Sequence, residues 1–123
     1  MTALILRAQI LAELGRHAET AATAEKMVEL DSKQPTTLYN AGCLLAMSYT
    51  AVAPGLPVEQ LNAEQRELRD RYAKRAIELL KKVQAAGYFN MPSHVTEFRE
   101  DHDWDPLRML DDFKSFDQQL PKN

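Results

Sequence analysis

Four aspartates toward the C-terminal end have the types and the spacing of a cation loop. Asp101, Asp103 and Asp105 alternate along "DHDWDP", and Asp112 stands where a closing carboxylate belongs. Calcium is held by such alternating carboxylates on a loop that turns sharply at a glycine. Pro106 fills that turn position instead. The preferred reading is that Asp105 caps a last helix whose first residue is Pro106, an arrangement suited to proline's fixed φ and missing N–H. His94, Glu97, Asp101 and His102 form a second set with divalent-ion chemistry, although two histidines on a surface helix and loop are more simply solvated. Cys43 is a lone thiol with no base near it in sequence, which favours a small packing residue over a nucleophile. The sequence therefore assigns no catalytic residue, no cofactor and no metal, and predicts a chain that is not an enzyme.

The bulk composition narrows the class further. The chain has 123 residues, 45% hydrophobic and 27% charged, enough for one core and a single domain over 1–123. Its net charge of -3 argues against a general nucleic-acid binder, since phosphate contact needs a basic face. No run approaches the roughly 20 apolar residues of a membrane span, and no secretion leader opens the chain. The expectation is a soluble, cytoplasmic protein with no membrane partner; the single Cys43 excludes an internal disulfide and fits a reducing compartment. The charges are uneven. Arg66 to Lys82 holds seven bases against three acids, and Glu97 to Asp117 eight acids against three bases. A solvated basic helix face complemented by its own acidic tail is the preferred reading, with docking of an acidic or phosphorylated segment as the alternative.

Apolar periodicity supplies the elements. Leu4, Ala8, Leu11 and Leu14 recur at helical spacing until Gly15, and Ala21, Ala24, Met27, Val28 and Leu30 make a second stripe before "DSKQP". A third helix follows Pro35, with Thr36 or Thr37 as N-cap, and runs through Tyr49. "AVAPGLPVEQ" breaks it. Asn62 and Gln65 then spell a capping box, and Leu68, Tyr72, Ala76, Ile77, Leu80 and Val83 carry a fourth helix of about 24 residues to Gly87. In the tail, Leu107, Leu110, Phe113, Phe116 and Leu120 give a last helix one apolar face. Trp104 is expected to be buried where that helix starts. No alternating stretch bounded by hairpin turns is present.

The third helix repeats the first. Sliding the chain by 34 residues puts Leu38 on Leu4, Gly42 on Ala8 and Leu45 on Leu11, and 34 is the tetratricopeptide period. The second half of that motif maps onto Thr20, Ala24 and Met27 and onto Ala76, Leu80 and Val83, which stand 56 apart, so the second copy carries 22 inserted residues. In a tetratricopeptide hairpin, small residues let two backbones approach. Gly42, which otherwise costs its helix roughly 1 kcal/mol against alanine, is expected to meet Ala76 in this way.

The chain thus resembles a tetratricopeptide-repeat protein, and more narrowly the tetratricopeptide-like segment that follows the kinase domain in bacterial, planctomycete-type serine/threonine protein kinases. There the pattern runs YNAAC, then a helix ending in A-x-x-AGY, then D-P-D-L-x-P-L-R-x-x-x-D-F. This chain supplies Tyr39, Asn40, Ala41 and Cys43; Ala86, Gly87 and Tyr88; and Asp101, Asp103, Pro106, Leu107, Arg108, Asp112 and Phe113. It departs at Gly42, at His102 where Pro is usual, and at Trp104 where Leu is usual. No kinase signature is present, so catalysis would lie upstream in a longer parent. Met1 falling inside a repeat, with Arg7 on a face that a preceding hairpin would cover, points the same way.

The resemblance implies an all-α, right-handed array of antiparallel helix hairpins: a first repeat over 1–33, a second over 34–87 with an insertion at about 50–71, and a helical cap over 88–123. It also implies a signalling role as a non-catalytic protein-interaction module, with a structural cap that binds nothing as the alternative. The concave surface would be lined by Ile5, Gln9, Ala12 and Glu13 and by Tyr39, Asn40, Cys43, Ala46 and Met47. That wall lacks the Lys and Arg that would clamp a terminal carboxylate, and suits an apolar or aromatic-bearing peptide. The bare outer face of the first helix, at Leu4, Leu6 and Ile10, suggests a homodimer.

Overall fold

The computed structural model describes residues 16–121, and every regular element among them is helical. The all-α expectation holds at that level. The predicted first helix lies outside the described residues, and with it Ile5, Gln9, Ala12 and Glu13 of the predicted groove and the dimer face at Leu4, Leu6 and Ile10.

Helix α1, His17–Leu30, buries Thr20, Ala24 and Met27, spaced four and three apart and so on one face. A short turn leads to α2, Pro35–Ala51, which starts on Pro35 itself, with Gln34 as the preceding residue. Neither Thr36 nor Thr37 is the N-cap. The proline has no N–H to leave unpaired in the first turn, and Thr37 instead donates its hydroxyl to Asp31 Oδ2 at 3.0 Å, closing the turn. Residues Ala41 through Ala46 are all buried. A helix covered on all sides in this way is the centre of the fold.

The segment after α2 is pinned rather than loose. Arg69, buried, donates Nε to Tyr49 O at 3.1 Å and Nη2 to Ala53 O at 3.2 Å, and its guanidinium carbon lies 4.9 Å from the Tyr49 ring centroid. It thereby satisfies carbonyls left open as α2 ends. A short 3-10 turn, Val58–Gln60, leads to buried Leu61 and to α3, Ala63–Ala85. The predicted capping box is formed in full: Gln65 N donates to Asn62 Oδ1 at 2.8 Å and Asn62 N to Gln65 Oε1 at 3.0 Å. The helix stops at Gly87, whose φ of 87° lies in the left-handed region that glycine alone enters freely.

Contacts between helices fix their directions. Arg69 of α3 reaches Tyr49 and Gly42 faces Ala76, so α2 and α3 are antiparallel. His17 Nδ1 meets Tyr72 Oη at 2.7 Å, and Arg75 grips Glu25 through Nε and Nη2, each at 2.8 Å. The order of these pairs rises along both helices, so α1 and α3 run in the same sense on either side of α2.

The C-terminal third differs from expectation. A 3-10 turn, Tyr88–Asn90, is followed by α4, Pro92–Glu100, by a 3-10 segment, His102–Leu107, and by α5, Asp111–Gln118. The single helix expected from Pro106 is therefore two pieces, with Leu110 extended between them. Asp105 does not cap a helix at Pro106, because its carboxylate is taken by Arg108 Nε at 2.9 Å, and Asp101 opens the 3-10 segment by accepting from Asp103 N at 3.0 Å. The three-residue period of a 3-10 turn keeps Trp104 and Leu107 on one side, and both are fully buried. Phe113, Phe116 and Leu120 continue that face into the core, as the apolar spacing predicts. Among the described residues no helix is long and apolar enough to cross a membrane.

Candidate functional site

The residues nominated for a groove wall on α2 meet the chain's own C-terminal segment. Cys43 and Ala46 are buried, and Tyr39 is half-buried, stacked on Tyr88 at 5.6 Å between centroids. The Tyr39 hydroxyl donates to Asp101 Oδ2 at 2.9 Å and accepts from Trp104 Nε1 at 3.3 Å. Cys43 Sγ stands 3.7 Å from the same Asp101 oxygen. Tyr39 and Cys43 thus make internal contacts, the 3-10 segment bearing Asp101 and Trp104 packing onto α2 on the wall where a peptide was expected. Asn40 is half-buried; Met47, one turn beyond Cys43, is half-buried and borders open space.

The electrostatics of this cluster follow from crowding and burial. Burial, reinforced by Cys43 and Asp101, pushes the Tyr39 phenol far above its ordinary value. Burial, with Asp101 and Asp103 beside it, likewise pushes up the Cys43 thiol, so it is held as the unreactive protonated form. Asp103 is also raised, by partial burial and then by the neighbouring Asp101.

The cation sets read from the sequence do not assemble. His94 donates from Nδ1 to Tyr88 O, 2.7 Å away, and stacks on the Tyr88 ring at 3.9 Å between centroids. His102 pairs with Asp105 at 3.0 Å, Asp105 with Arg108, and Asp112 lines a shallow groove with Lys74 and Lys81. Among the described residues the ligand atoms that come together are those of Cys43, Asp101 and Asp103, within 4.8 Å of one another. Asp101 is already engaged there by Tyr39, Cys43 and the Asp103 amide, so these contacts are a hydrogen-bonded tie between α2 and the tail.

Beside this tie opens a cleft of about 430 Å³, lined by Met47, Thr50, Ala51, Pro54, His102, Asp103 and Pro106. Its volume lies in the range of small-ligand and side-chain pockets, about 300 to 1,000 Å³. One wall is the last turns of α2 and Pro54, just beyond the helix; the other is the 3-10 segment. Among the described residues of the predicted groove, only Met47 belongs to it. Thr50, Ala51 and Pro54 could have been added from sequence, since they continue the Met47 edge of the helix and its break. His102, Asp103 and Pro106 arrive only through folding.

With this geometry established, comparison with known proteins adds no relative. No family model matches the chain. No curated protein and no solved structure matches it either.

Proposed function

We propose that the chain is a non-catalytic, tetratricopeptide-like interaction module, of the kind found after the kinase domain in bacterial serine/threonine protein kinases, and that it takes a peptide in the Met47 cleft. The observation that carries the reading is that cleft: an accessible hollow with Met47, Ala51, Pro54 and Pro106 as apolar lining and a few polar groups at its wall, the composition of a peptide side-chain pocket.

Three further features support the family resemblance. Its scattered motif residues converge. Tyr39 and Cys43 from the first piece, Tyr88 from the second, and Asp101 and Arg108 from the third lie in one network, Arg108 Nη2 donating to Asp101 O at 2.8 Å. The departures at Gly42 and Trp104 also compensate each other, since the larger indole fills the space left by the missing side chain. The alternation of α1, α2 and α3 is that expected of stacked helix hairpins. A non-catalytic role is supported by the buried, protonated Cys43 and by histidines committed to structural contacts.

The reading of a purely structural cap is favoured by a different observation: the tail packs on Tyr39 and Cys43 of the expected binding helix. A displayed random peptide library, selected on the full chain and on a Thr50→Trp variant that fills the cleft, decides between the two. Enrichment on the unmodified chain that is lost in the variant supports the interaction module. Absence of enrichment leaves the cap.

A further inference from the structure

The acids of the tail are not equally placed. Asp105 is bound by Arg108 and His102, Asp117 by Arg99 at 3.3 Å, and Asp101 by Tyr39 and the Asp103 amide. Asp103, half-buried on the wall of the cleft, has no hydrogen-bond donor or ion-pair partner for its carboxylate among the described residues. His102 favours the charged form of Asp103 electrostatically, but no cation among the described residues is bonded to it. Arg108 is spent on Asp105 and on the carbonyls of Phe98 and Asp101, and His102 is directed at Asp105.

A partly desolvated carboxylate beside another carboxylate is an unfavourable arrangement in the free protein. A ligand cation would relieve it, whereas an acidic ligand would meet the Asp103 carboxylate at the wall. The floor next to it has the opposite character: Met47, Ala51, Pro54 and Pro106 offer apolar surface, with the flexible Met thioether able to adapt to different side chains.

Resting on the reading above, we propose that the cleft recognises a peptide in which an apolar side chain adjoins a Lys or Arg, the apolar group entering against Met47 and the cation pairing with Asp103. The ligand class is thus basic and apolar, opposite in charge to the acidic or phosphorylated segments that the basic face of α3 would attract.

The test uses the full chain and fluorescent peptides drawn from the library selection, each made in a Lys, a Gln and a Glu version at the position next to the apolar residue. Anisotropy titrations should rank them Lys, Gln, Glu, with Lys about fivefold or more tighter than Gln, and the preference should shrink as salt rises. Asp103→Asn should abolish the preference while keeping the Gln peptide's affinity. Thr50→Trp should weaken all three, with circular dichroism unchanged. Equal affinity for Lys and Gln peptides, still lost in Thr50→Trp, would overturn the charge pairing and leave the interaction module standing. Binding of no peptide at all would overturn both.

Discussion

A Cβ placed on Gly42 would stand 2.9 Å from Cη2 and 3.3 Å from Cζ2 of Trp104. The indole therefore occupies the volume an alanine methyl would need, in the middle of the most buried helix. The Ala76 carbonyl oxygen is the more distant neighbour at 3.8 Å, so the expected meeting with Ala76 is present but secondary. Trp104 has little room to retreat: Tyr39, Phe98 and Phe113 lie around its ring at centroid distances of 5.6 to 6.1 Å.

Gly42→Ala should consequently destabilise the protein despite alanine's better helix propensity. Overpacking of a filled core costs about 1 to 3 kcal/mol, against a propensity gain of about 1 kcal/mol. Urea denaturation measures the balance. Adding Trp104→Leu should recover part of the Gly42→Ala loss, with a coupling of about 0.5 kcal/mol or more in the double-mutant cycle. Strict additivity would show that the two sites do not press on each other.

Trp104, with no exposed surface, should emit at short wavelength and resist iodide quenching. Trp104→Ala should cost about 3 to 5 kcal/mol, a large share of a stability on the order of 5 to 15 kcal/mol. A red, freely quenched spectrum would mean that the tail is not docked.

Tyr39→Phe removes the acceptor of the Trp104 indole N–H and a donor to Asp101 together. A loss of about 1 to 3 kcal/mol is expected from the stranded buried groups, read as a lower midpoint in urea at unchanged slope. A neutral substitution would show that this tie contributes nothing to docking of the 3-10 segment.

The same cluster sets the alkaline limit. Tyr39 and Cys43 hold their protons more tightly in the native state than their ordinary values of 10.0 and 9.0. Their contribution is full below about pH 9 and is lost as pH climbs above the unfolded values, because only the unfolded chain can then ionise. Thermal midpoints should fall from about pH 9 upward, and the thiol should stay unreactive toward a disulfide reagent until unfolding. Rapid labelling of the native protein at neutral pH would contradict this.

For Asp103 the sign is acidic. Its native value lies above the ordinary 3.8, so its contribution is full below about pH 3.8 and is lost as the group ionises above that. Asp103→Asn should raise stability at pH 7 by a few tenths of a kcal/mol once solvent screening is allowed for, and the gain should vanish in acid. A loss of stability at pH 7 would reveal an internal partner for this carboxylate.

Much of the helical content was decided locally and is legible in the sequence. Ala24 and Met27 and then Ala76, Leu80 and Val83 could be recognised as buried because helical period alone puts them on one face. Asn62, Gln65 and Gly87 announce the ends of α3 because caps and left-handed stops are single-residue chemistry. Trp104 could be expected in the core from its size and its neighbours' spacing. What only the tertiary structure decided concerns the partners of side chains distant along the chain. Pro106 continues a 3-10 turn instead of starting a helix because Arg108 claims Asp105 and Trp104 must face Gly42. Tyr39 and Cys43 face inward because Asp101 arrives from some 60 positions away. Asp103 is left without a cation, and Met47 beside a cleft, for the same physical reason: periodicity fixes which face of a helix is apolar, but pairing and exposure depend on which segment finally packs there.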